Sequence, residues 1–122
     1  MFCNSKDLKI SDRATICMPY HKLLDCLEED RLADKKFGST RRGISPVYAD
    51  KYMKKAFRMG DLLHMDTLKK RLADVLEWKN LTVEGGYKMR RFRWTRCLHG
   101  LKNTVHFLHH LYATQQSIFQ MQ

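Results

Sequence analysis

Apolar residues recur at helical spacing in two stretches of the chain, and a helix-start signal opens another between them, with segments rich in glycine, serine and charge separating them. In the first, Tyr20, Leu23, Leu24 and Leu27, continued by Arg31, fall three and four residues apart, which predicts an amphipathic helix over Pro19 to Leu32. Proline suits its first position. Leu23, Leu24 and Leu27 are expected to face a core, and Glu28, Glu29 and Asp30 to face water. Upstream, Leu8 to Met18 mixes β-branched and polar residues, so a short strand is expected near Ala14 to Met18. The second stretch opens at Ser45-Pro46, where serine can accept from an orphan N–H and proline tolerates the first turn. This helix is expected to reach about Met59, with Asp50 near its positive end and Gly60 closing it in a left-handed conformation. In the third, Asp66 is the expected cap. Leu68, Leu72, Val75 and Leu76 make an apolar stripe opposite Lys69, Lys70, Asp74 and Glu77. After Asn80, "LTVEGGY" predicts an irregular or extended link with a Gly-Gly turn.

The chain has 122 residues, enough for one small domain. Hydrophobic residues make up 43%, too many for wholesale disorder. A formal net charge of +10 favours an anionic partner such as a nucleotide, nucleic acid or acidic membrane. That charge is uneven. Residues 88–122 contain no Asp or Glu but hold six of the 23 cations and four of the six histidines. Residues 1–87 carry 17 cations against 13 anions. This break predicts a boundary near Tyr87.

Cys3, Cys17, Cys26 and Cys97 form no C-x-x-C pair, so reduced thiols and a cytoplasmic setting are expected. The start, Met1 to Ser5, has no basic segment leading into an apolar run, so no secretory signal is expected. No apolar run has the length of a bilayer span.

Candidate chemistry lies between the first two helices. The loop Gly38-Ser39-Thr40-Arg41-Arg42-Gly43 offers hydroxyls, guanidiniums and backbone N–H groups, which together can surround phosphate oxygens. On the helix expected after it, Lys51, Lys54, Lys55 and Arg58 fall at i, i+3, i+4 and i+7 and share one face. Cations so placed repel one another unless water or an anion lies between them. From the pattern alone a solvated basic face is the commoner outcome. No G-x-x-x-x-G-K-S/T phosphate loop is present.

The run "KKFGSTRRGISPVYADKYMKKAFRMGDL" resembles adenylosuccinate synthetase, whose signature is G-T/S-T-x-x-G-I-x-P-x-Y-x-x-K-x-x-R followed by R-x-G/C-D-L. Gly43, Ile44, Pro46, Tyr48 and Lys51 match in spacing. "LKISDRATICMPYHKLLD" looks like the strand and helix before the signature, and "DTLKKRLADVLEWKN" like the helix after it. The resemblance covers roughly residues 8–87. It implies a mainly α fragment with short β segments, drawn from a larger nucleotide-binding α/β enzyme with a central sheet.

The family joins IMP and L-aspartate using GTP and Mg²⁺ on the route to AMP, as a homodimer. The resemblance implies that Thr40 contacts the IMP phosphate and that Lys51 is the catalytic signature lysine. It also implies that Lys54 stands where an arginine reaches IMP in the neighbouring subunit. Ser39, Arg42 and Arg58 are further candidate anion contacts, and no metal ligand is assigned. Lysine at 54 can neutralise phosphate but lacks the planar bidentate fork. Ser45 departs from the usual glycine or arginine. The family's glycine-rich phosphate loop with its catalytic Asp, and its catalytic His, have no counterpart here. The chain is therefore expected to be an internal fragment without turnover of its own.

Residues 88–122 do not resemble the family. Back-translation of "WTRCLHGLKNTV", read one base out of phase, permits Asp-Glu-Met-Phe-Ala-Trp-Leu-Glu-Lys-Tyr-Gly, an acidic amphipathic helix of the kind the family has next. A slip of the reading frame near Tyr87 or Lys88 is the expectation. Cys97, His99, His106, His109 and His110 match no zinc template. "KMRRFRWTR" interleaves cations and aromatics, as single-strand nucleic-acid binders do, and equally describes a basic tail. His64 has no Ser or Cys partner in sequence and reads as a loop residue. A small basic nucleic-acid-binding module is thus the alternative, but it needs no Gly, Pro or Tyr at the signature positions. The signature order favours the synthetase reading, with no nucleic-acid or membrane partner.

Overall fold

The computed structural model describes residues 10–89. Cys97, the histidines from His99 onward and "KMRRFRWTR" fall outside the described residues, wholly or nearly so. Three helices organise the rest: α1 (Pro19–Leu32), α2 (Ile44–Tyr52) and α3 (Met65–Leu81). A 3₁₀ turn at Ala33–Lys35 follows α1, another at Met59–Leu63 precedes α3, and a π-helical turn at Thr82–Gly86 follows it. No helix here is long and apolar enough to cross a membrane.

The first and third helices form where periodicity places them. Leu68, Leu72, Val75 and Leu76 are all buried, and they meet Tyr20 and Leu24 of α1 in one core with Ile16, Met18, Phe57 and Leu62. Leu23 is half-buried, and Leu27 packs at the core edge. Glu29, expected in water, is 4% exposed. Its carboxylate faces the loop after α1 and accepts from the Phe37 N–H at 3.2 Å.

The expected strand over Ala14 to Met18 contracts to one antiparallel bridge, Thr15 to Arg58. Ile16 N–H donates to Phe57 O at 2.8 Å, and Met59 N–H donates to Ala14 O at 2.9 Å. The facing segment turns into the 3₁₀ helix at Met59, which leaves nothing more to pair. Among the described residues no longer strand forms.

Helix α2 also departs from expectation. It starts at Ile44, capped by Gly43 rather than Ser45, and stops at Tyr52 rather than Met59. Lys54, at φ 59°, takes the left-handed role expected of Gly60. That turn brings the N–H groups of Lys55 and Ala56 onto the Asp50 carbonyl at 2.8 and 3.2 Å, which satisfies an orphan acceptor at the helix end. Gly60 instead lies in the 3₁₀ turn against Asp12, whose carbonyl accepts its N–H at 2.8 Å. Past Asn80 the chain stays helical to Leu81 and then takes the π turn, which buries Val83. Tyr87 closes this end by donating its hydroxyl to Glu28 of α1 at 2.8 Å. Burial first, and then that bond, push the Tyr87 phenol up to about 12. The Arg31 and Tyr87 bonds, in that order, hold Glu28 down to about 2.

A buried ionic cluster joins the three helices. Asp50 of α2, 1% exposed, accepts from His21 Nε2 of α1 at 2.8 Å and from Lys79 Nζ of α3 at 2.5 Å. His21 is fully buried, and its Nδ1 accepts the Met18 N–H at 2.9 Å. The ring proton is therefore on Nε2, facing Asp50. Burial alone would raise the Asp50 carboxyl. The His21 and Lys79 bonds outweigh that and hold it below the ordinary carboxylate range.

Removing one member of a buried charged pair strands the other. Asp50→Ala is expected to cost about 3–5 kcal/mol in urea unfolding, and Asp50→Leu combined with Lys79→Met to recover much of it. Because the folded carboxyl titrates below its unfolded value, its stabilisation is complete above about pH 4 and is lost as pH falls through the folded value. Asp50→Asn is expected to flatten that acid limb.

Candidate anion site

Helix α1 carries a second buried stripe, made of polar residues. His21, Asp25 and Glu29 fall at i, i+4 and i+8 and are all buried. His21 holds α2, as described above. Asp25 and Glu29 hold the loop that enters α2. Asp25 Oδ1 accepts the Ser39 hydroxyl at 2.7 Å, and its Oδ2 accepts the Gly43 N–H at 2.8 Å. Ser39 Oγ in turn accepts the Arg41 N–H at 3.1 Å. The Arg41 guanidinium reaches Asp30 at 2.7 Å. Two thiols complete the seam: Cys17 Sγ donates to Arg42 O at 3.5 Å, and Cys26 Sγ lies 4.0 Å from Arg41 O. Burial, and then the Asp25 charge, push the Cys17 thiol up, so it keeps the proton it donates.

Loop conformation follows from these anchors. Gly38, Arg41 and Gly43 have φ of 76°, 58° and 87°. Gly43 is also a point of contact between backbones. A Cβ there would lie 2.8 Å from both His21 C and Lys22 N of α1. Only glycine permits the left-handed turn and the close approach together.

The expected site residues separate into engaged and unengaged groups. Ser39 serves the loop itself, since its hydroxyl proton goes to Asp25. Thr40 and Arg42 are exposed. Thr40 makes no hydrogen bond, and Arg42 no ion pair, among the described residues. Lys51 is exposed near the far end of α2, roughly 10 Å along the axis from Ile44 at 1.5 Å per residue. Its Nζ lies 5.7 Å from the Tyr48 ring centroid. Lys54 is in the left-handed turn beyond the helix, and Arg58 lies on the bridge. Lys55 is drawn to α3, with Nζ 3.7 Å from the Trp78 ring centroid.

The single helix face expected for Lys51, Lys54, Lys55 and Arg58 is therefore not formed, because α2 ends before three of them. Arg42, Lys51, Lys54 and Arg58 remain exposed with no ion-pair partner among the described residues. Arg31, Arg41, Arg71 and Lys79 are each paired with a carboxylate. His64 is an exposed residue between the 3₁₀ turn and α3, as its sequence setting suggests.

Asp25, His21 and Lys79 were not expected to matter, and Asp50, expected near the positive end of its helix, lies instead near the C-terminal end of α2 and enters the buried cluster. The available signal was the one-turn repeat His21, Asp25, Glu29, which a purely apolar reading of α1 passes over. Among the described residues no three His, Cys, Asp or Glu side chains converge as a metal site.

The family model for adenylosuccinate synthetase matches residues 1–121 of the chain, beyond the composition break at Lys88. Among curated proteins, an adenylosuccinate synthetase of Bdellovibrio bacteriovorus is 46% identical over 90 residues, covering 74% of this chain and 21% of that protein. Adenylosuccinate synthetase 2 of Pseudoalteromonas translucida is 54% identical over 88 residues, 72% of this chain and 21% of its own length. The synthetase of Shouchella clausii is 44% identical over 89 residues, with shares of 73% and 21%. The chain spans about a fifth of the length of these relatives.

Gly43→Ala is expected to destabilise the chain by roughly 2–5 kcal/mol, through left-handed strain plus the collision with His21 and Lys22. Thermal unfolding monitored by circular dichroism measures it. A loss below about 0.5 kcal/mol would show that α1 and α2 do not meet at this backbone contact.

Proposed function

The chain belongs to the adenylosuccinate synthetase family, and we propose that it is the part of such an enzyme that receives the phosphate of IMP. In this reading the whole enzyme joins IMP and L-aspartate with GTP hydrolysis in AMP synthesis, as a cytoplasmic homodimer. The observation that carries it is the division among the loop and α2 side chains. Asp25, Glu29 and Asp30 tie the loop down from beneath, while the Thr40 hydroxyl makes no hydrogen bond and the cations Arg42, Lys51, Lys54 and Arg58 make no ion pair among the described residues.

A phosphomonoester needs donors and compensating charge together. Thr40 supplies a hydroxyl beside the loop backbone. Lys54 supplies a point charge, held outward by its left-handed backbone, and we assign it to the IMP of a neighbouring subunit. Lys51 is the residue assigned to the reacting end of the substrate. Arg42 and Arg58 add positive potential.

The family's Mg²⁺ finds no ligand set among the described residues. Both oxygens of Asp25 and of Asp50 are taken by protein donors, and no acidic cluster is left to hold a cation. The same side chains are closed to acid–base chemistry, because both His21 nitrogens are also occupied. The chain alone is therefore expected to bind IMP without turning it over. The nucleic-acid alternative rested on a continuous basic helix face and on the basic tail: the face is not formed, and nearly all of the tail lies outside the described residues.

We also propose that residues 88–122 result from a slip of reading frame after Tyr87, which accounts for their lack of acids; suitable codons permit a family-like helix in the shifted phase, while the family model matches through residue 121 of the present one. Sequencing the source DNA is expected to show the family pattern resuming one base out of phase. An uninterrupted family-like gene in the present frame would refute the slip.

Isothermal titration tests the phosphate assignment. IMP is expected to give a binding heat that inosine does not, and Thr40→Ala to weaken it by about tenfold. Equal heats from IMP and inosine would exclude a phosphate site.

A further inference from the structure

We infer that Asp25 is the positioning residue of the phosphate-facing loop, and that it acts through its two acceptor oxygens rather than through its charge. This rests on the assignment of Thr40 to phosphate made above. On electrostatic grounds alone, a carboxylate under an anion-binding loop is the wrong group, since its field opposes the ligand. Asp25 is nevertheless the loop's main anchor. It is 5% exposed, and its oxygens accept from Ser39 Oγ and Gly43 N, the residues that bracket Thr40, Arg41 and Arg42.

Its effect extends along the loop backbone. Ser39 Oγ, fixed by Asp25 Oδ1, accepts the Arg41 N–H. Successive N–H groups then alternate. Those of Arg41 and Gly43 turn inward to the Asp25–Ser39 pair, and those of Thr40 and Arg42 have no acceptor among the described residues. A loop with every second N–H held inward presents the intervening ones, with the Thr40 hydroxyl, on its outer side. Two outward N–H groups beside a hydroxyl make an anion-binding edge related to the backbone nest, though built from every second N–H rather than from successive ones. Arg41, at φ 58°, takes the non-glycine left-handed conformation that this alternation requires, held by Ser39 from behind and by the Asp30 ion pair. The ligand class this loop fits is a phosphate monoester, bound by two N–H groups and a hydroxyl.

Asparagine can reproduce this geometry without the charge. Its carbonyl oxygen can accept the Gly43 N–H, and its amide can donate to Ser39 Oγ, which has lone pairs to spare. Alanine can do neither. The test compares the wild-type chain, Asp25→Asn and Asp25→Ala in two measurements: IMP affinity by calorimetry and exchange of the Gly43 amide by NMR. Asp25→Ala is expected to lose roughly ten- to a hundredfold in IMP affinity and to expose the Gly43 amide. Asp25→Asn is expected to stay within about threefold of wild type, with Gly43 still protected.

An Asp25→Asn variant as impaired as Asp25→Ala would show that the charge is needed and overturn the inference, as would wild-type affinity in Asp25→Ala. If no form binds IMP, the phosphate assignment falls, while Gly43 exchange still decides the role of Asp25: equal exchange in all three forms refutes it. If Asp25→Ala does not fold, Ser39→Ala removes the Oδ1 half alone. The expected result is then a several-fold loss of IMP affinity with Gly43 still protected, and an unchanged affinity is the contrary one.

Discussion

Asp50 is the residue on which the rest of this structure depends. One side chain from each helix meets at its carboxylate, and its own backbone carbonyl gathers two N–H groups from the turn beyond α2. The second helix is only nine residues long, too short to hold its shape by propensity. Tertiary bonds must therefore fix where it ends. Asp50 does this twice, by anchoring the helix sideways to His21 and Lys79 and by closing its last turn. A buried ion is costly unless every lone pair is used. Here the two donors come from α1 and α3 and the carboxylate from α2, so the cost is offset only when all three helices are in place. The cluster thus specifies an arrangement as much as it stabilises one.

Helix α1 works on two sides. Its apolar side, Tyr20 and Leu24, meets the stripe of α3 in an ordinary core. Its polar side, His21, Asp25 and Glu29, shapes the segment that enters α2. Carboxylates suit that second task because the loop's N–H groups need acceptors that a helix cannot offer from its own satisfied backbone. The consequence is a division of labour among cations as well. Those beside the acids, such as Arg41, are neutralised in place, and those beyond their reach stay available.

Much of this was legible in sequence. Helices α1 and α3 follow from apolar periodicity, and the bounds of α1 agree with Pro19 and Leu32. The loop was recognisable from glycine and hydroxyl content and from the family signature. Three features were not legible. The end of α2 is set by Lys54 in a conformation that sequence assigns to glycine, and the force that imposes it comes from Asp50 contacts spread over three helices. The burial of Glu29 depends on a loop folding back over it, which local polarity does not reveal. The isolated bridge at Thr15 reflects the shortness of the facing segment, a property of tertiary geometry rather than of the β-branched residues that suggested a strand.

The contact between Lys55 and Trp78 has an optical consequence. Trp78 is the one tryptophan among the described residues, about half exposed, with an ammonium 3.7 Å from its ring centroid. A cation over the indole face perturbs its excited state. Lys55 follows directly on the left-handed turn that closes α2, so whatever displaces that turn also moves the charge off the ring. Trp78 is therefore a native fluorophore whose emission, added to that of Trp94, responds without any label to how the end of one helix sits on another.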